Sequence, residues 1–162
     1  MTGFQSAPHD LGPLLRRTIE SEIPNLRALD SDRVSVHPKG PTSWSPKQEL
    51  GHLIDSAANN HIRFVRAALE GGYRGLGYRQ DEWVRIHGYQ DLPWDFLVTF
   101  WFHYNALLAD LVEHIPPDKL SAMCTIGDGE PASLGFVIED YVRHMQHHLD
   151  HLLARAVVTA YP

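Results

Sequence analysis

The chain reads as an all-α protein: an up-down four-helix bundle with a long connection between its second and third long helices. Three observations predict this. Apolar residues recur at helical spacing in four separate stretches. Serine, proline and glycine stand where those stretches begin and end. Segment 71–92, rich in glycine and aromatic residues, divides the second stretch from the third. Four amphipathic helices bury their apolar faces most simply against one another. A chain of 162 residues is long enough for one core, so a single domain over residues 1–162 is expected.

The first long helix is expected from Leu11 to about Leu29. Pro13 suits its first turn, and Leu14, Leu15, Thr18, Ile19, Leu26 and Leu29 recur near helical spacing. Pro24 lies inside it and should bend or interrupt it. A polar stretch with His37-Pro38 and Gly40-Pro41 follows. The second helix has the strongest start signal: Ser45 as N-cap, Pro46 at the first helical position, and Gln48 completing a Ser-x-x-Gln capping box. Leu50, Leu53, Ile54, Ala57, Ala58, Ile62, Val65 and Leu69 mark its apolar face, and Gly71-Gly72 ends it. The connection from Gly71 to Leu92 should carry a short helical turn at Gln80–His87, and loops of such length are more often functional than idle. The third helix opens near Pro93, continues through Phe96, Leu97, Phe100, Leu107, Leu108 and Leu111, and stops at Pro116-Pro117. Residues 118–132 form a loop or a short hairpin. The fourth helix starts after Ser133 and runs to about Val158.

Composition narrows the function classes. Lys and Arg are scattered and the formal charge is −6, which argues against a nucleic-acid partner. No apolar run has the length of a membrane span. The opening residues MTGFQSAPHD lack the basic and apolar regions of a secretory signal. Cys124 is the single cysteine, which excludes an intramolecular disulfide and suits a reducing compartment. A soluble cytoplasmic protein with no membrane partner is the expectation. Ala-Met-Cys124-Thr-Ile offers the thiol no activating neighbour, and neither a nucleophile elbow nor a phosphate-binding glycine loop is present. Gly127-Asp-Gly-Glu130 is a turn rather than a calcium loop.

Histidine is the residue out of line, at 11 of 162, and four of them fall within His144–His151. His144 and His148 are four apart, as are His147 and His151, so each pair shares a helix face and can grip one divalent ion. On a wheel of ~100° per residue the apolar side centres near 110° from His144, with His148 at about 40° and His147 near −60°. The 144/148 pair therefore borders the core, while 147/151 leans towards solvent. A third ligand is best sought in His52, one turn into the second helix and set among Leu50, Leu53 and Ile54, where an unpaired polar group is costly. Gly51 beside it permits a close approach by backbone or ligand. Asp55 is placed to hold an imidazole tautomer from behind. His61 and His87 are further candidates to weigh, and His103 lies in an aromatic run where it either lines a pocket or is hydrogen-bonded at the core edge. His9, His37 and His114 read as surface. Tyr78, Trp83 and Tyr89 are candidate rim residues of a pocket.

The motif Trp44-Ser-Pro-Lys-x-Glu-Leu-Gly-His-Leu-x-Asp-Ser56, followed by His144-x-x-His-His-x-x-His-Leu152, resembles the DinB/YfiT-like superfamily, from about residue 11 to 158. Leu149-Asp150-His151 is closer to the YfiT branch than to the Arg-Gly-Gln usual in the DinB branch. The resemblance implies a helical bundle with a three-histidine metal centre whose ligands are His52, His144 and His148, the same triplet that the wheel and the burial argument favour. It implies zinc or nickel as the divalent metal and a possible homodimer. It also implies a small-molecule substrate for a metal-dependent hydrolase, or a low-molecular-weight thiol such as bacillithiol or mycothiol for a thiol S-transferase. The alternative is a non-catalytic metal-binding or stress-associated bundle. Glu49, Asp55, His103 and His151 are the side chains able to close the metal shell, and an open shell favours catalysis.

Overall fold

The computed structural model describes residues 10–159 and 161; His9 lies outside them. In chain order the elements are α1 (Leu11–Arg27), α2 (Ser31–Val34), α3 (Pro46–Glu70), β1 (Gly72–Gly75), α4 (Gln80–His87), a 3₁₀ turn (Tyr89–Asp91), α5 (Trp94–His114), a second 3₁₀ turn (Pro117–Ser121), β2 (Met123–Ile126), β3 (Ala132–Ser133) and α6 (Leu134–Leu152). The fold is mostly helical, and α1, α3, α5 and α6 are the four bundle helices.

Local chemistry sets the helix ends. Ser45 Oγ accepts from the Gln48 N–H at 3.3 Å and Gln48 Oε1 accepts from the Ser45 N–H at 3.0 Å, so the capping box is complete. Gly71 stops α3 with a φ of +79°, a left-handed conformation in which a side chain would be strained. Helix α1 runs through Pro24, which lies on its exposed side, and ends at Arg27, one turn beyond the proline. Helix α6 stops at Leu152, six residues before the expected end. The buried Asp150 carboxylate accepts from Arg155 Nε at 2.6 Å and from the Val158 N–H at 3.1 Å, and so folds the chain back. Arg155 then bonds Glu22 on α1 at 2.6 Å.

Helix α1 packs against α5 and α6, and α3 packs against the same two. The ring order is α1–α5–α3–α6, with consecutive bundle helices α1 and α3 on one diagonal. Trp101, Phe64, Leu15, Ile19, Leu50, Leu97 and Met145 fill the centre. Of the loop and the hairpin left open by the sequence, the hairpin forms, between β2 and β3, and β1 adds a parallel strand to it in the register Gly72–Met123 through Gly75–Ile126. That strand was not expected. The sheet ties the 71–92 connection to the segment before α6 and so walls one side of the α3/α6 groove. Among the described residues no helix is long and apolar enough to cross a membrane.

Candidate metal centre

Three imidazoles meet where α3 and α6 face each other. His52 is buried on α3, while His144 and His148 are half-buried on α6. Their candidate ligand nitrogens all lie within 4.8 Å of one another. Nε2 of His52 is 3.0 Å from Nε2 of His144. His148 directs Nδ1 at Glu49 Oε1, 2.9 Å away, which leaves Nε2 as its nitrogen towards the cluster. Nδ1 of His144 lies 3.5 Å from Ser56 Oγ.

Burial keeps His52 and His144 neutral. Burial, then the nearness of His148 and His144, pulls His52 down to about 3. Burial, then His148 and His147, pulls His144 down to about 3. Both rings thus carry free lone pairs near neutrality, the state that a metal requires. Two nitrogens 3.0 Å apart can both reach one ion at ~2.1 Å, the usual metal–imidazole distance. The donor set therefore fits a divalent metal, and the carboxylate of Glu49 behind His148 fixes the tautomer that such a ligand needs.

The indole of Trp44 lies 4.9 Å from His52, and the Tyr78 ring stacks at 6.4 Å. Beyond His144 a cavity of about 360 Å³ opens between α3, α6 and the sheet, lined in part by Ser56, Arg63, Tyr78, Cys124 and Tyr141. Tyr78 is pushed up to about 12, chiefly by burial and next by Asp55, so its hydroxyl stays protonated and able to donate.

A sequence profile of the DinB superfamily matches residues 15–152. The chain belongs to the DinB superfamily. This DinB protein is 28% identical over 155 residues to a protein of Bacillus licheniformis named provisionally as a metal-dependent hydrolase, covering 93% of this chain and 80% of that one. A Bacillus mycoides protein of the same provisional name is 23% identical over 136 residues, 81% of this chain and 78% of its own. A third, from Oceanobacillus iheyensis, is 26% identical over 109 residues, and there the match spans 67% of this chain and 63% of the relative. Among solved structures, Bacillus subtilis YfiT, described as a proposed metal-dependent hydrolase with an unusual four-helix bundle topology, superposes with a TM-score of 0.81. The two are 16% identical, over 95% of this chain and 90% of YfiT. The mycothiol-dependent maleylpyruvate isomerase superposes with a TM-score of 0.75 at 16% identity, over 99% of this chain and 65% of the isomerase. At such identities the structural matches carry the fold alone.

Within this DinB chain the other expected residues separate clearly. Asp55 holds none of the three imidazoles: Oδ1 accepts from the Tyr89 hydroxyl at 2.6 Å and lies 3.1 Å from Nδ1 of His87. The carboxylate that does contact a cluster histidine is Glu49, whose place depends on how α3 and α6 rotate against each other. His151 is half exposed, with Nδ1 3.6 Å from Glu49 Oε1. His147 is half-buried under the C-terminal segment, with Nδ1 3.0 Å from the Thr159 carbonyl oxygen. His103 is exposed and lines no pocket with the cluster, and His61 is bound to the Tyr104 hydroxyl. His37 is half-buried against the Ser43 carbonyl, and His114 is exposed. Of the expected rim aromatics only Tyr78 reaches the cavity beside His144, whereas Trp83 and Tyr89 line a separate apolar one near Phe96 and Phe100. The close approach at Gly51 is made by a side chain rather than by backbone or ligand: a Cβ there would sit 2.1 Å from the Tyr89 ring. Cys124 is buried and burial raises its pKa, as suits an inert thiol. Arg63, buried on α3 at the cavity wall, escaped sequence reading because nothing distinguishes it from the solvated arginines around it.

Proposed function

We propose that this protein is a divalent-metal-dependent enzyme that joins a low-molecular-weight thiol to a small electrophile. The observation that carries the reading is the convergence of three imidazoles, two of them held neutral by burial, beside an open cavity that neither Glu49 nor His151 lines. His52, His144 and His148 would hold zinc or nickel. Bound there, the ion supplies Lewis acidity: it lowers the pKa of coordinated water towards ~7 and deprotonates a coordinated thiol outright. Glu49 retains the Nδ1 proton of His148 and keeps its other nitrogen directed inward. Trp44 shields one flank of the rings from water. Tyr78 and Ser56 offer hydroxyls to whatever occupies the cavity. Thiol transfer is favoured over hydrolysis because hydrolysis gains from a free general base, and the half-buried carboxylate of the cavity, Asp140, is engaged by the Tyr161 hydroxyl at 2.8 Å. Metal-dependent hydrolysis is the second reading, favoured by the names of the relatives.

Elemental analysis of untagged protein tests the first half of the proposal. Near one metal per chain is expected, falling to none in the His52→Ala/His144→Ala/His148→Ala variant, with His147→Ala unchanged. Retained metal in the triple variant would refute the ligand set. Conjugation of bacillithiol, mycothiol or glutathione to an electrophile such as chlorodinitrobenzene tests the second half. Ester hydrolysis without thiol turnover would move the assignment to the second reading.

A further inference from the structure

Arg63 lies in the middle of α3 with only 7% of its surface exposed, and its side chain lines the cavity beside His144. Arginines on helices usually lay their stems along the surface and keep the head in water. This one turns inward. A guanidinium has five N–H donors, and among the described residues Arg63 makes one hydrogen bond, Nη1 to Asn60 Oδ1 at a long 3.4 Å. No carboxylate lies within ion-pair distance of it among those residues. Glu130, also at the cavity, is exposed, and Asp140 is taken by Tyr161. Arg63 does not belong to the fully sealed unpartnered groups either, so its unused donors open onto the cavity. A buried charge without a counter-ion is costly unless something in that space neutralises it.

We infer that Arg63 is a substrate-binding residue that holds a carboxylate in the cavity next to the three-histidine centre. The planar fork of donors matches two carboxylate oxygens, which a lysine in its place would not. Asn60 sets the fork from below: its Nδ2 donates to the Ser56 carbonyl at 2.9 Å, which turns Oδ1 towards Arg63. Ile126, Phe136 and Val137 in the same cavity lining supply apolar surface for the carbon frame. The substrate class is thus a small organic acid with an apolar body. The inference rests on the proposed function in taking this cavity for the substrate's, and it adds which group of the substrate is held there.

Benzoate and its neutral counterpart benzamide are the probes, titrated calorimetrically into the protein as purified. Benzoate should bind at least ten-fold more tightly than benzamide. Arg63→Gln should weaken benzoate ten-fold or more and leave benzamide unchanged, and Arg63→Lys should fall between. Equal benzoate affinity in parent and Arg63→Gln would overturn the inference, because the anion would then sit elsewhere. So would a parent with no preference for benzoate, or one that binds inorganic phosphate more tightly than benzoate. Should Arg63→Gln fail to fold, Arg63→Lys decides: benzoate binding equal to that of the parent would refute the fork. Metal content measured on the same samples keeps the two claims apart. Arg63-dependent benzoate binding in a metal-free chain would refute the proposed enzyme and leave this inference standing; a one-metal chain indifferent to Arg63 would do the reverse.

Discussion

Replacing Glu49 with alanine should weaken metal binding without removing it. Glu49 Oε1 stands 2.9 Å from Nδ1 of His148, and the two side chains are only 13% and 17% exposed, so solvent screens the contact less than it would a surface pair. A hydrogen bond to a charged group under such conditions contributes about 1.5–3 kcal/mol. At about 1.4 kcal/mol per ten-fold, that is a loss of roughly 10–100-fold in affinity, the range found when a partner behind a ligating histidine is removed. Glu49→Gln keeps an oxygen in place but loses the charge, and should cost roughly 3–10-fold. His151→Ala, which removes a half-exposed neighbour 3.6 Å from the same oxygen, should change affinity less than about two-fold. Competition against a chromophoric chelator at fixed pH reads all three. An unchanged affinity in Glu49→Ala would refute the orienting role. Complete loss of metal would refute it as well, because the carboxylate would then be a ligand in its own right.

Two further outcomes follow from packing and protonation. Gly51→Ala should destabilise the fold by about 1–3 kcal/mol, since the added carbon meets the Tyr89 ring and disturbs its hydrogen bond to buried Asp55; urea unfolding measures this, and an unchanged midpoint would show that the ring moves freely. The metal-free protein should lose stability as pH falls below 6.5. His52 and His144 have folded pKa values depressed to about 3, so the unfolded chain takes up protons first, and the stability present above 6.5 is lost on the way down towards 3. One such group gives about 2 kcal/mol between pH 7.5 and 5, and the pair between about 2 and 4, because part of each shift is their mutual repulsion. A flat unfolding profile over that window in chelated protein would contradict the burial of the two rings.

What could be read in advance tracks the range of the interactions. The start of α3 was legible because Ser45, Pro46 and Gln48 satisfy one another within four residues, and α4 appeared at Gln80–His87. The His52, His144 and His148 cluster was legible from helix periodicity plus one misplaced polar residue among leucines. Strand β1 was not, because Gly72–Gly75 owes its extended form to pairing with Met123–Ile126 some fifty residues on. The early end of α6 was hidden because Leu152, Val157 and Val158 continue the apolar pattern, while the deciding bonds come from Asp150 and Arg155. Glu49 rather than Asp55 stands behind a cluster imidazole for a similar reason. Both are near His52 in sequence, and only the rotation of α3 against α6 decides which carboxylate meets a cluster histidine.

The two halves of the cluster are 92 residues apart, which also sets an order in time. Ribosomes add roughly 5–20 residues per second, so His52 exists for roughly 5–20 s before His144 is made. During that interval the nascent chain offers a lone imidazole with no partner on α6. The full chelate forms only when the last bundle helix docks, so loading with metal is tied to the completion of the fold.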